Sequence, residues 1–192
     1  MRMFVAVRPP ESVLEHLADY LEPRREAGGP LRWSPSEQWH VTLAFLPAVA
    51  DRAFDPLVEQ LGELATGRGA FELRLTGAGS FPNPARAKVL WVAVTGDTEA
   101  LGQLAGGSRS AAVRSGIEVA GGRFHAHLTV ARASRPIEAT RWLRVLDLYQ
   151  GPSWQVEELV LVQSQLGGNG RRTVHQVRES FPLGDRSGRP SS

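Results

Sequence analysis

The sequence predicts a mixed α+β fold built on a mostly antiparallel sheet, and three observations carry that expectation. Short apolar strand-like runs alternate with amphipathic helical stretches in the order β-α-β-α-β-β-α-β-α-β-β. The loops vary too much in length for a regular βαβ repeat, and no glycine-rich phosphate loop follows any strand. A strand bearing His-x-Thr, then a helix, then two strands, occurs once from residue 39 and again from residue 124.

Phe4 to Val7 reads as a short strand closed by Pro9-Pro10, and Ser12 to Leu21 carries Val13, Leu14, Leu17 and Leu21 at helical spacing. Arg24 to Pro35, rich in Gly, Pro and charge, reads as a loop leading to the strand Trp39–Leu46. Asp51 to Leu64 fits a helix with Phe54, Leu57, Val58, Leu61 and Leu64 on one stripe. Strands are expected at Phe71–Leu75 and Val89–Val94, separated by the turn-rich Gly77–Pro84. Thr98 to Ser115 reads as a helix weakened by Gly102, Gly106 and Gly107. A strand from Phe124 to Ala131, a helix from Ile137 to Leu148, strands at Gln155–Ser164 and Val174–Ser180, and a polar tail from Gly184 to Ser192 complete the chain. Residues 1–183 are thus expected to form one domain or two small intimate lobes, with 184–192 as a disordered tail outside it.

Composition bounds the function classes. Lys plus Arg number 22 against 20 Asp plus Glu, a net +2 far from the basic excess of a dedicated nucleic-acid binder. The cations are arginines apart from Lys88, and the planar guanidinium suits phosphate oxygens. With no cysteine, disulfides and thiolate metal sites are excluded. The apolar run at the start is too short for a signal peptide and no stretch reaches the length of a membrane span, so a cytoplasmic location is expected.

The chemistry lies in His40-Val41-Thr42-Leu43 and His127-Leu128-Thr129-Val130, which sit 87 residues apart. Side chains alternate along a strand, so each motif places one imidazole and one hydroxyl on the same face. Two imidazoles can take and give a proton at once near neutral pH, and hydroxyls can hold the oxygens of a phosphoryl transition state. With 8 threonines in 192 residues and five histidines, two His-x-Thr hits arise by chance about 2% of the time. Strict alternation sends Arg132 to the face opposite His127 unless the strand bulges, whereas His125 shares the face of His127. His16 and His175 are given no site role. The tryptophans are read as core or sheet-covering residues, with a rim tryptophan able to stack a base.

These motifs, with Arg2–Val7, Trp39–Leu46, Leu90–Val94, Phe124–Arg132 and Leu161–Leu166, resemble the two-histidine phosphoesterase superfamily, and most closely its RNA 2′,3′-cyclic phosphodiesterase (2′-5′ RNA ligase) branch. The resemblance runs from residue 2 to about 180. It implies a two-lobed α+β fold with two mostly antiparallel sheets facing a central cleft and helices outside. It also implies His40 as proton donor to the departing 3′ oxygen and His127 as proton acceptor from water, leaving a 2′-phosphate. Thr42 and Thr129 are implied as phosphate-binding residues and Arg132 as a phosphate contact, while His125, set on the cleft face by alternation, is a further candidate to contact substrate or a terminal phosphate. No metal, cofactor or protein partner is implied, and the expected state is a monomer acting on RNA with a cyclic phosphate end or on a small cyclic nucleotide, with reverse 2′-5′ ligation in vitro. The chain departs from the family at Pro47, Ala126 and His175, where glycine, proline and tyrosine are usual. Two alternatives stand beside this reading: a metal-dependent hydrolase using His125 and His127 with His40, and a non-catalytic module that binds RNA ends.

Overall fold

Among the described residues, nine strands join in one antiparallel sheet in the order β7-β4-β5-β6-β3-β1-β8-β9, with β2 paired to β6 off that path. The computed structural model describes residues 1–165 and 173–184. The strands are β1 (Met3–Val7), β2 (Leu31–Trp33), β3 (Val41–Leu46), β4 (Phe71–Phe81), β5 (Ala87–Gly96), β6 (His127–Ile137), β7 (Gln150–Val156), β8 (Glu158–Gln165) and β9 (Val174–Pro182). The helices are α1 (Glu11–Glu26), α2 (Asp51–Thr66), α3 (Thr98–Arg114) and α4 (Thr140–Leu146).

The sheet reads as two matching halves, β7-β4-β5-β6 and β9-β8-β1-β3, and each half has its His-x-Thr strand innermost. The two sheets implied by the resemblance are therefore halves of one sheet. They join where β3 meets β6, through the single pair Val41 opposite Leu128. One face of the sheet carries the helices and the main core, which takes in Met3, Val5, Val41, Leu43, Leu128 and Val130. A smaller apolar cluster of Phe4, Ala6, Val160 and Val162, with Phe45 beside it, lies on the other face, here called the cleft face. Strand β1 is apolar at every position because both of its faces are covered.

Among the described residues, two of the four helices cross between the halves. Helix α1 follows β1 yet packs on β7, and α3 follows β5 yet packs on β3 and α2. Of the glycines expected to weaken α3, Gly107 has a packing reason: a Cβ there would meet Leu64 Cδ1 of α2 at 2.4 Å.

Several boundaries differ from the sequence expectation. The segment read as a loop before β3 contains β2, whose three residues find their partner far away on β6. Strand β4 runs on to Phe81 instead of ending at Leu75, because Gly77 (φ +82°) absorbs a register shift and lets pairing with β5 resume at Ala78. The apolar stretch expected as one strand is two: β7 pairs with β4 and β8 with β1, so the chain changes halves at Glu157. The second motif strand begins at His127 and reaches Ile137, and α4 is confined to seven residues. Gly184, expected to open the tail, donates its N–H to the Ala65 carbonyl, and residues 185–192 lie outside the described residues.

Candidate active site

Alternation along β3 and β6 buries Val41, Leu43, Leu128 and Val130 and leaves His40, Thr42, His127 and Thr129 half-buried on the cleft face. The antiparallel register that sets Val41 against Leu128 brings His40 alongside Thr129 and Thr42 alongside His127. The four motif residues thus form one quartet across the seam between the halves. Neither threonine hydroxyl hydrogen-bonds to another described residue.

Both histidines are held by the same device. His40 Nδ1 lies 2.7 Å from the carbonyl oxygen of Gln38, and His127 Nδ1 lies 2.7 Å from that of His125. A carbonyl only accepts, so each Nδ1 carries the proton and donates it. In the neutral ring that leaves Nε2 as the atom able to accept a proton.

The walls differ. His40 stacks on Phe4, with ring centroids 4.4 Å apart and planes 19° from parallel. His175 meets His40 edge-on at 5.4 Å, and its Nδ1 is buried without a hydrogen-bond partner among the described residues. Burial pushes the His40 imidazole down to about 4, and the nearby His175, Arg8 and His127 add to the effect against the Gln38 hydrogen bond. His127 is flanked by Phe81 at 5.0 Å and Trp91 at 5.9 Å, and it too is lowered, by burial first and then by His125 and Arg132. Burial and Arg2 lower His175 in the same direction. Trp91 is the rim tryptophan: it lies across Gly79, where a Cβ would meet its ring at 2.2 Å.

Arg132 does not follow strict alternation. Leu128 and Thr129 of β6 face Val92 and Trp91 of β5, but Ala131 and Arg132 face Leu90 and Val89, so Val130 is an extra residue in the ladder. This bulge returns Arg132 to the cleft face, in the row of Val89, Trp91 and Ala93. His125 stands just ahead of β6 on that face, 4.8 Å from Trp91 and 5.8 Å from His127 between ring centroids. His16, outside the cleft, bonds Tyr149 Oη at 3.0 Å. His175, given no site role in the sequence reading although it stands where the family usually has tyrosine, lies against His40 because β9 pairs with β8 next to β1, a placement that no local pattern in the sequence marks.

Among the described residues no three His, Asp or Glu side chains converge as a metal would require. A hollow of about 230 Å³ lies elsewhere, between the start of α2 and the end of α3, and contains no acid–base pair. No helix of the described residues is long and apolar enough to cross a membrane.

Comparison with known proteins places the sequence and the fold in a family. Residues 7–91 match the model of the LigT-like phosphoesterase family. An RNA 2′,3′-cyclic phosphodiesterase of Aeropyrum pernix is 29% identical over 79% of this chain and 88% of its own length. One of Archaeoglobus fulgidus is 33% identical over 70% of this chain and 74% of its own. The crystal structure of Escherichia coli LigT in apo form superposes with a TM-score of 0.76 at 27% identity, covering 96% of this chain and 98% of that one. Its complex with 3′-AMP gives 0.75 at 26% identity, over 95% and 97% of the two chains. With a motif strand in each half of the sheet and this degree of likeness over most of its length, the chain belongs to the LigT-like phosphoesterase family.

Proposed function

We propose that this chain, as a single two-lobed domain over residues 1–183, hydrolyses the 2′,3′-cyclic phosphate end of RNA to a 2′-phosphate without a metal, using His40 and His127 as the acid–base pair. The observation that carries the reading is the doubled device: two imidazoles in one cleft, each with Nδ1 tied to the carbonyl two residues back and each beside a threonine of the opposite strand. The names of the relatives from A. pernix and A. fulgidus, and the 3′-AMP found with E. coli LigT, support the substrate class.

In this reading His127 Nε2 accepts a proton from water as the water oxygen bonds to phosphorus. The bond from phosphorus to the 3′ oxygen breaks, and protonated His40 Nε2 gives its proton to that oxygen. The products are a 2′-phosphate and a 3′-hydroxyl. Thr42 and Thr129 donate to the non-bridging oxygens, while Arg132 and His125 contact substrate phosphate from the same face. His40 enters charged because the anionic substrate draws a proton onto it. A low ordinary affinity for that proton then makes it a strong donor. When the 5′-hydroxyl of a second RNA end takes the place of water, it loses its proton to His127 and bonds to phosphorus while the bond to the 3′ oxygen breaks and His40 protonates that oxygen, which gives a 2′-5′ linkage and a free 3′-hydroxyl.

The test is turnover of an oligoribonucleotide with a 2′,3′-cyclic end in excess EDTA, with the product phosphate located by phosphorus NMR. A 2′-phosphate formed at the full rate supports the reading. A 3′-phosphate product, or loss of activity to the chelator, contradicts it.

A further inference from the structure

The cleft face carries a second cationic feature that the acid–base pair does not use. Strand β2 lies along β6 with Arg32 directly opposite Arg132. Residues opposite one another in an antiparallel pair share a face. The residues beside them, Leu31 and Ala131, are buried in the main core, whereas both arginines are exposed. Both guanidinium groups therefore rise from the cleft face, Arg132 only because Val130 bulges.

Like charges directly opposite in a sheet repel. Among the described residues neither guanidinium has an ion pair or a hydrogen bond, the one ion pair being Arg25 with Glu22. An anion between the two would turn this repulsion into attraction, and two planar forks on neighbouring strands suit the oxygens of one phosphate. The pair also has a defined place relative to the quartet. On β5, Trp91 faces Thr129 and Val89 faces Arg132. Two strand residues span about 7 Å, so the arginines stand one short step beyond Thr129 on the same face.

We propose that Arg32 and Arg132 together hold a second phosphate of the substrate, the one on the 5′ oxygen of the nucleotide whose cyclic phosphate occupies the quartet. The inference rests on the reading of the quartet given above. It makes the preferred substrate a chain end, or a nucleotide bearing a 5′-phosphate, over a lone cyclic nucleoside phosphate.

Three substrates test it: a 2′,3′-cyclic mononucleotide, its 5′-phosphorylated form, and a dinucleotide ending in a cyclic phosphate. The wild-type protein is expected to favour the second and third by about tenfold or more in kcat/KM, the scale of one charge-assisted phosphate contact. In R32Q that preference falls toward unity, and the slope of log kcat/KM against log salt for the dinucleotide shrinks by about 0.7. The R32Q protein should also resist urea at least as well as wild type, which separates loss of a ligand contact from loss of fold. Equal rates on all three substrates, a preference that survives in R32Q, or a preference for the dinucleotide without one for the 5′-phosphate overturns the proposal. Failure to open any of the three rings overturns the cyclic phosphodiesterase reading instead.

Discussion

Phe4 lies flat against His40, with ring centroids 4.4 Å apart and planes 19° from parallel. Such a wall excludes water from one whole face of the imidazole, and burial is the leading cause of its lowered proton affinity. Phe4→Leu keeps the site apolar but removes the flat face. We expect His40 to titrate closer to 6.5 and kcat to fall about tenfold, as a donor weakened and less well positioned should behave. Proton NMR of the imidazole resonances checks the first effect and steady-state rates the second.

Burial lowers both His40 and His127 from 6.5 in the free protein. The pH dependence of kcat/KM reports the free protein's acid and base, so both limbs of the bell should fall below pH 6.5. A profile centred above pH 7 would contradict the burial described.

Acid should destabilise the fold through His40. Its folded affinity for protons lies below its unfolded value, so the unfolded chain binds more protons between about pH 4 and 6.5. Stability is complete above pH 6.5 and is lost as the pH falls toward 4. Because the ring is only half-buried by area, we expect about 1 to 3 kcal/mol from this group. Urea titrations of wild type and His40→Ala at several pH values measure it as the part of the slope that the variant lacks.

The split of roles between the histidines predicts a leaving-group effect. With a diester whose leaving group needs no proton, such as bis(p-nitrophenyl) phosphate, His40→Ala should retain most of the wild-type rate while His127→Ala loses about 100-fold or more. On a cyclic phosphate both variants should lose about 100-fold or more. Equal losses on the activated diester would remove the assignment of donor and acceptor.

Gly79 leaves room for Trp91, and a Cβ there would meet the indole ring at 2.2 Å. Gly79→Ala should displace that ring from His125 and His127, cost about 1 to 3 kcal/mol and lower kcat. Tryptophan fluorescence and urea midpoints follow the displacement and its cost.

How much of this was legible in the sequence can be read from β3 and β6. Period-two alternation placed His40, Thr42, His127 and Thr129 on one face correctly, because both strands are half-buried and have a core side to betray. The same rule failed at Arg132, since the bulge at Val130 is a property of pairing with β5 and leaves no mark in a single strand. Strand β2 escaped notice for a related reason: three residues between Gly, Pro and charge become a strand only by meeting β6. Likewise Phe4 and His175 converge on His40 from β1 and β9, which long-range topology alone brings together.

The crossing of α1 onto β7 and of α3 onto β3 ties the two halves together. Each half has part of its apolar face covered by a helix that follows a strand of the other, so cutting the chain between them would strip both cores at once, and neither half is expected to fold alone.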